Sequence, residues 1–279
     1  MSLKKNKIII FNCYPEKSRK NFDASDVGHP QDLFIDFFTR HIPDAKIDVR
    51  FIADLDQPLP TDEELVSCRG CIWTGSDLTI YQLEPRVKRQ IELAKKMYNL
   101  GVHSFGSCWG IQMAVVAAGG KVGKSPKGRE WGVAKDITLT KAGEKSKLFK
   151  GKPKVFDGFI MHLDEVVKLP ENTEILAGND HTKIQAIEVH VGKASFYCTQ
   201  YHPEYNLFEM ARLIKARAQA LVTEGFFNTT DQVLEYAKNM KQLDANSESV
   251  ELKTLLNFDD SVIDPGIKEQ ELRNWLESI

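Results

Sequence analysis

Val102–His103–Ser104–Phe105–Gly106–Ser107–Cys108–Trp109–Gly110–Ile111–Gln112–Met113–Ala114–Val115–Val116–Ala117–Ala118 is the stretch that decides the fold. Val102–Phe105 reads as a short strand and Ile111–Ala118 as an apolar helix, with Gly106–x–Cys108–x–Gly110 as the joint between them. A cysteine on such a turn is held in a strained backbone conformation, and the flanking glycines relieve the crowding. Its side chain then stands at the carboxyl edge of the sheet, where open α/β folds bind their ligands. The positive end of the following helix favours thiolate over thiol. The N–H of Trp109 is placed to receive a developing oxyanion. A packed cysteine beside a glycine turn is the plainer alternative that the five residues alone leave open.

Working outward, short apolar runs alternate with longer amphipathic stretches, as in a sheet covered by helices. Strands are expected at Lys7–Cys13, Ile47–Ile52 and Gly70–Trp73. A helix fits His29–His41, where Leu33, Phe34, Phe37 and Phe38 share one face. Thr61–Asp62–Glu63–Glu64 has a capping-box pattern, and Pro85–Leu100 reads as a helix with proline in its first turn. From about Trp131 to Thr199 the texture becomes β-rich, with runs at Val133–Thr140, Val155–His162, Glu165–Lys168, Thr173–Ala177, Gln185–His190 and Ser195–Thr199. Antiparallel additions to the sheet are expected there. One long helix is expected over Leu207–Thr223, a linker or loose helix end at Gln242–Glu251, and a short amphipathic helix at Gly266–Ile279.

The chain has 279 residues, 42% of them hydrophobic and 27% charged, so it is long enough for one large domain or a domain with an appendage. A formal net charge of −2 provides no global field to recruit nucleic acid or an anionic membrane. The run Ile8–Phe11 is too short for a signal-peptide core or a membrane span. The five cysteines are scattered and odd in number, which suits free thiols in a reducing cytoplasm. Cys68 and Cys71 form a C-x-x-C pair without a second pair at zinc spacing, so they are read as buried thiols. The basic stretch Lys121–Arg129 is read as a solvated, glycine-interrupted loop.

A thiolate nucleophile needs an imidazole to take its proton and later to protonate the leaving amine. Of seven histidines, His202 stands out, ending the run Ser195–Tyr201 and followed by Pro203–Glu204. Residues two apart in an extended segment point the same way, so Glu204 can return to hold the ring. Taken alone, His-Pro-Glu is more often a surface turn. His103 is expected in a strand, and His29, His41, His181 and His190 at helix, loop or strand-edge positions.

Gly106–Gln112 together with Tyr201–Glu204, 94 residues from Cys108 to His202, resembles the class I (triad) glutamine amidotransferases. Within them the chain looks like the stand-alone proteins similar to the glutaminase domain of GMP synthase, over about Lys7 to Tyr205. The resemblance implies an open, three-layer, flavodoxin-like α/β sandwich with antiparallel strand additions. It also implies a core of residues 1–223, with residues 224–279 as a helical C-terminal extension packed on or beside it.

The same resemblance assigns Cys108 as nucleophile, His202 as base and Glu204 as its partner. Gly75, in Thr74–Gly75–Ser76, takes the place of the family's second oxyanion donor beside Trp109. Gln112 matches a residue lining the substrate pocket. Ile160–Val166, with Met161, His162 and Leu163, matches a loop that holds the substrate's α-amino and α-carboxylate groups; Leu163 stands where glycine is usual. Arg129–Gly132 resembles a segment beside the site. Glutamine would be attacked at its γ-amide to give a γ-glutamyl thioester and then glutamate, with no cofactor or metal.

The family's glutaminases feed ammonia to a synthase, but this chain has no P-loop. Three readings stay open: a subunit with a separate synthase partner, a free-standing hydrolase of γ-glutamyl amides or peptides, and a non-catalytic binding protein.

Overall fold

The alternation of side chains along strand β1 (Lys7–Asn12) shows how one strand serves two layers of helices. Ile8 and Ile10 enter one apolar cluster, and Ile9 and Phe11 enter another on the opposite side of the sheet. The computed structural model describes residues 6–171 and 173–279.

The other strands are β2 (Lys46–Phe51), β3 (Gly70–Trp73), β4 (Ser104–Ser107), β5 (Lys121–Lys124), β6 (Glu130–Leu139), β7 (Val155–His162), β8 (Asp164–Lys168), β9 (Thr173–Gly178), β10 (Ala186–Val191) and β11 (Ala194–Thr199). Nine of them form one sheet in the order β2-β1-β3-β4-β11-β10-β9-β6-β7. The half from β2 to β11 is parallel, and β10, β9, β6 and β7 extend it antiparallel. This is the expected three-layer α/β arrangement with antiparallel additions. Strands β4 and β11 lie side by side and parallel at the centre. The ends of these two strands therefore bring Cys108 and His202 to the same edge.

The helices are α1 (Glu16–Ala24), α2 (Pro30–His41), α3 (Asp62–Ser67), α4 (Pro85–Leu100), α5 (Trp109–Ala117), α6 (Leu207–Ala216), α7 (Ala218–Thr223), α8 (Thr230–Ala245), α9 (Val250–Leu256), α10 (Asp260–Ile263), α11 (Pro265–Lys268) and α12 (Gln270–Ser278). Helices α4 and α5 cover one face through Val87, Ile91, Ile111 and Met113. Helices α2 and α12 cover the other, where Trp275 meets Phe38 and Phe105. A third cluster joins α6 to α8 through Met210, Ile214, Val233 and Met240.

The capping box at Thr61 is formed on both sides, with Glu64 N–H donating to the Thr61 hydroxyl and Thr61 N–H to the Glu64 carboxylate. Several boundaries differ from expectation. The helix expected over Leu207–Thr223 is two, broken at Arg217, whose backbone (φ −102°, ψ 14°) leaves the helical region. The stretch Gln242–Glu251 is helical through Ala245, and Ser249 then caps α9. Gly266–Ile279 divides between α11 and α12 at Glu269.

The basic stretch read as a loop contains β5, which pairs antiparallel with β8 in a separate two-stranded sheet. Its charged ends and exposed edge gave no apolar alternation to read. Helix α1 was missed because it buries only Phe22. His103 is half-buried just ahead of β4 rather than within it.

Candidate active site

The elbow has the geometry that its glycines require. Cys108 sits at φ 52°, ψ −92°, immediately ahead of α5. A Cβ at Gly106 would stand 2.7 Å from Cα of Gly110 and 3.1 Å from the Phe196 ring. At Gly110 it would press on Trp73 at 3.3 Å. Strand and helix thus touch backbone to backbone, and side chains at those two positions would force them apart. Gly106→Ala is expected to cost about 1–3 kcal/mol, as overpacking does. A denaturant midpoint matching wild type would refute that packing account.

Beyond the elbow, Cys108, His202 and Glu204 come together. The His202 ring and Cys108 line the same cavity, and Cys108 is close enough to help raise the ring's pKa. Its Nδ1 lies 2.7 Å from Oε1 of Glu204. A carboxylate can only accept, so Nδ1 carries a proton and Nε2 is left for the sulfur. The Ser107 hydroxyl donates to the same Glu204 oxygen at 2.7 Å. Sequence reasoning passed over this serine, although it lies inside the elbow motif. Burial by itself disfavours a charged His202, but Glu204 and Cys108 outweigh it and push the pKa up to about 10.

Cys108 and His202 open onto a cavity of about 250 Å³ that Gln112, Met161, His162 and Leu163 also line. Gln112 is buried, and its Oε1 has no partner among the described residues, so an acceptor faces the space unspent. Leu163 adds an apolar wall where β7 turns into β8. Gly75 touches the other side of the imidazole: a Cβ there would lie 3.3 Å from Cε1 of His202 and 3.4 Å from the Tyr14 hydroxyl. The Trp109 N–H belongs to the first helical turn, which has no internal acceptor for it. Its indole points away from the cavity and donates to Gln90 at 2.9 Å. Tyr14, Asp77, Tyr205 and Arg217, which no sequence motif singles out, line the same cavity from separate segments.

Arg129–Gly132 acquires a role in the structure. Buried Glu130 receives Asn179, Thr182 and Gln185 at 2.7–2.9 Å and lies 3.1 Å from Nε2 of His162, fixing the turn that carries Met161–Leu163. His181 is 3.6 Å from the same carboxylate, so these three residues have the spacing of a metal cluster. The hydrogen bonds already made to Glu130 describe a structural network instead. Arg129 grips Glu224 at 2.6 Å, and Trp131 packs among Phe226, Phe227 and Tyr236. The segment thereby ties the C-terminal helices to the site.

The family model described as glutamine amidotransferase class-I matches residues 75–218, which contain Cys108, His202 and Glu204. The chain belongs to this family. Similarity runs along nearly the whole length of one relative, a γ-glutamyl-L-1-hydroxyisopropylamide hydrolase of a Pseudomonas species. It is 31% identical across 99% of this chain and 94% of its own. A GMP synthase of Staphylococcus aureus is 32% identical, over 49% of this chain and 24% of its own length. The fold is that of a glutamine amidotransferase from Thermotoga maritima, with a TM-score of 0.65 at 19% identity, covering 97% of this chain and 98% of that one. Among the described residues, no helix is long and apolar enough to cross a membrane.

Proposed function

We propose that this class-I amidotransferase relative is a free-standing hydrolase of γ-glutamyl amides, working through a thioester on Cys108. The observation that carries the proposal is the meeting of Cys108 and His202 on one cavity wall, with Glu204 2.7 Å from the Nδ1 of the ring. The end-to-end similarity to a γ-glutamyl amide hydrolase, C-terminal helices included, supports a chain that needs no synthase.

In this mechanism the Cys108 thiolate attacks the γ-carbonyl carbon, and the oxyanion rests on the N–H groups of Gly75 and Trp109. His202 gives its proton to the departing nitrogen as the C–N bond breaks, leaving a γ-glutamyl thioester. Water, deprotonated by His202, then attacks the thioester; glutamate leaves and Cys108 is regenerated. Gln112 and the Met161–Leu163 turn hold the glutamyl portion.

Intact-mass measurement after incubation with glutamine and with γ-glutamyl amides, followed by amine detection, tests the proposal. A glutamyl adduct and amine release from the amides are expected. No adduct with any of them in folded protein would overturn it. The similarity to GMP synthase favours a second reading, in which glutamine is the substrate and ammonia passes to a separate synthase. Turnover of glutamine alone, stimulated by an ATP-dependent ligase, would select that reading.

The raised pKa of His202 gives a second test. The stability that its charged ring contributes is complete below about pH 6.5 and is lost as pH rises through about 10. Activity that needs the imidazolium has its basic limb in the same region. Glu204→Gln removes the main favourable charge, so that limb is expected to move to lower pH. A pH–rate profile with an unmoved basic limb would show that Glu204 does not act through the ring.

A further inference from the structure

Glu204 is held by one oxygen only. Its Oε1 accepts both the Nδ1–H of His202 and the Ser107 hydroxyl, each at 2.7 Å. Its Oε2 is buried and has no partner among the described residues. The two residues differ in how firmly their backbones are placed. Ser107 is fully buried at the end of β4, in register with Thr199 of β11, whereas Glu204 lies in the loop between β11 and α6. The hydroxyl therefore reaches the carboxylate from a rigid strand end.

Glu204 also borders a second cavity, of about 310 Å³, which shares no lining residue with the one that Cys108 and His202 open onto. Lys268 of α11 lines this second space, and its ammonium, 6% exposed, meets the Glu269 carboxylate at 3.3 Å. Arg40 of α2 is no rival cation there, because Glu269 takes both its terminal nitrogens at 2.9 Å. Asp36 of α2 and Asp244 of α8 complete the charged lining and are exposed. On the other side, Cys108, Tyr14 and Tyr205 lie around the ring; burial raises both tyrosine pKa values, so neither hydroxyl supplies a charge. Glu204 thus stands between two basic groups, His202 and Lys268. Burial disfavours the charge on each, and the Glu204 carboxylate opposes that effect in both.

Resting on the hydrolase reading above, we infer that Ser107 is a positioning residue that latches the Glu204 carboxylate onto the His202 ring against the pull of Lys268. Without the hydroxyl, only the ring would hold Oε1. A buried carboxylate with one oxygen unspent then gains by turning toward an ammonium that can swing on a flexible stem. The ring would lose its alignment and part of the charge that favours its protonated form.

Hydrolysis of γ-glutamyl-ethylamide and an NMR titration of the His202 ring test the latch together. Ser107→Ala is expected to lower kcat by about ten- to a hundredfold, the worth of a hydrogen bond to a charged group. KM should stay near wild type, because Ser107 does not line the substrate cavity. The His202 midpoint, about 10 in wild type, should move to lower pH, in the direction of Glu204→Gln but less far. Ser107→Cys keeps a weaker donor and should fall between wild type and Ser107→Ala in both readouts, and it carries the test if the alanine variant does not fold. Lys268→Met leaves Glu269 paired with Arg40, and in the Ser107→Ala background it should recover most of the lost kcat and of the shifted midpoint. An unmoved His202 midpoint in the Ser107 variants overturns the inference whatever happens to kcat, since the hydroxyl would then only pack the elbow. A double variant no better than Ser107→Ala overturns it too, because Lys268 would exert no pull. The titration needs no turnover, so a wild type that hydrolyses no γ-glutamyl amide sinks the hydrolase reading while the midpoints still decide the latch.

Discussion

Cys108→Ala is expected to abolish hydrolysis, lowering kcat by about three to six orders of magnitude, while the protein stays folded. Groups that act as a unit are non-additive, so His202→Ala should cost nearly as much, and the double variant little more than either. The fold should tolerate the change because the thiol contributes little to packing: Cys108 is 7% exposed and belongs to the cavity wall. The backbone strain at φ 52° is a property of the elbow and remains with alanine. Amine release and intact mass read the chemistry, and thermal melting reads the fold. A Cys108→Ala protein that retains a tenth of wild-type activity, or still gains a glutamyl adduct, would remove the thioester mechanism. Loss of folding would instead mean that the thiol is a core group.

What the sequence made legible was local and steric. Gly106 and Gly110 are glycines because strand and helix meet backbone to backbone, and that requirement shows in five consecutive residues. Glu204 follows His202 by two positions, so their contact could be read from an extended segment. Arg217 could not be found in this way. It lies far from the elbow in sequence, and its place depends on a helix break at an ordinary helix-forming residue. Propensity gives no warning of such a break, because packing around Leu213, Ile214 and Leu221 decides it. The Glu130 network was hidden for a related reason: Asn179, Thr182 and Gln185 come from the turn between β9 and β10, and only the sheet order brings them to His162. Strand β5 was illegible because its partner, β8, lies across the whole length of β6 and β7 in the chain.

A similar long-range pairing sets the largest expected effect on stability. Lys152 and Glu271 form an ion pair at 2.9 Å, with side chains 1% and 0% exposed. The Lys152 ammonium also donates to the Ile267 carbonyl at 2.9 Å and lies 4.5 Å from the Phe156 ring centre. Glu271 accepts the Tyr201 hydroxyl as well, and Tyr201 directly precedes His202. Lys152→Met fills similar space but leaves a carboxylate buried without its counter-charge. Breaking one side of such a pair costs about 3–5 kcal/mol, whereas replacing both partners by apolar groups is often close to neutral. Lys152→Met is therefore expected to lower stability by that amount, and Lys152→Met/Glu271→Leu to recover most of it. Chemical denaturation of the two variants and wild type measures both quantities. The double variant still frees the Tyr201 hydroxyl, so it should regain stability more fully than activity, with His202 less firmly held. Equal stability losses in the single and double variants would show that the unpaired Glu271 carboxylate is not what destabilises Lys152→Met, leaving the lost Lys152 bond to the Ile267 carbonyl as the cause.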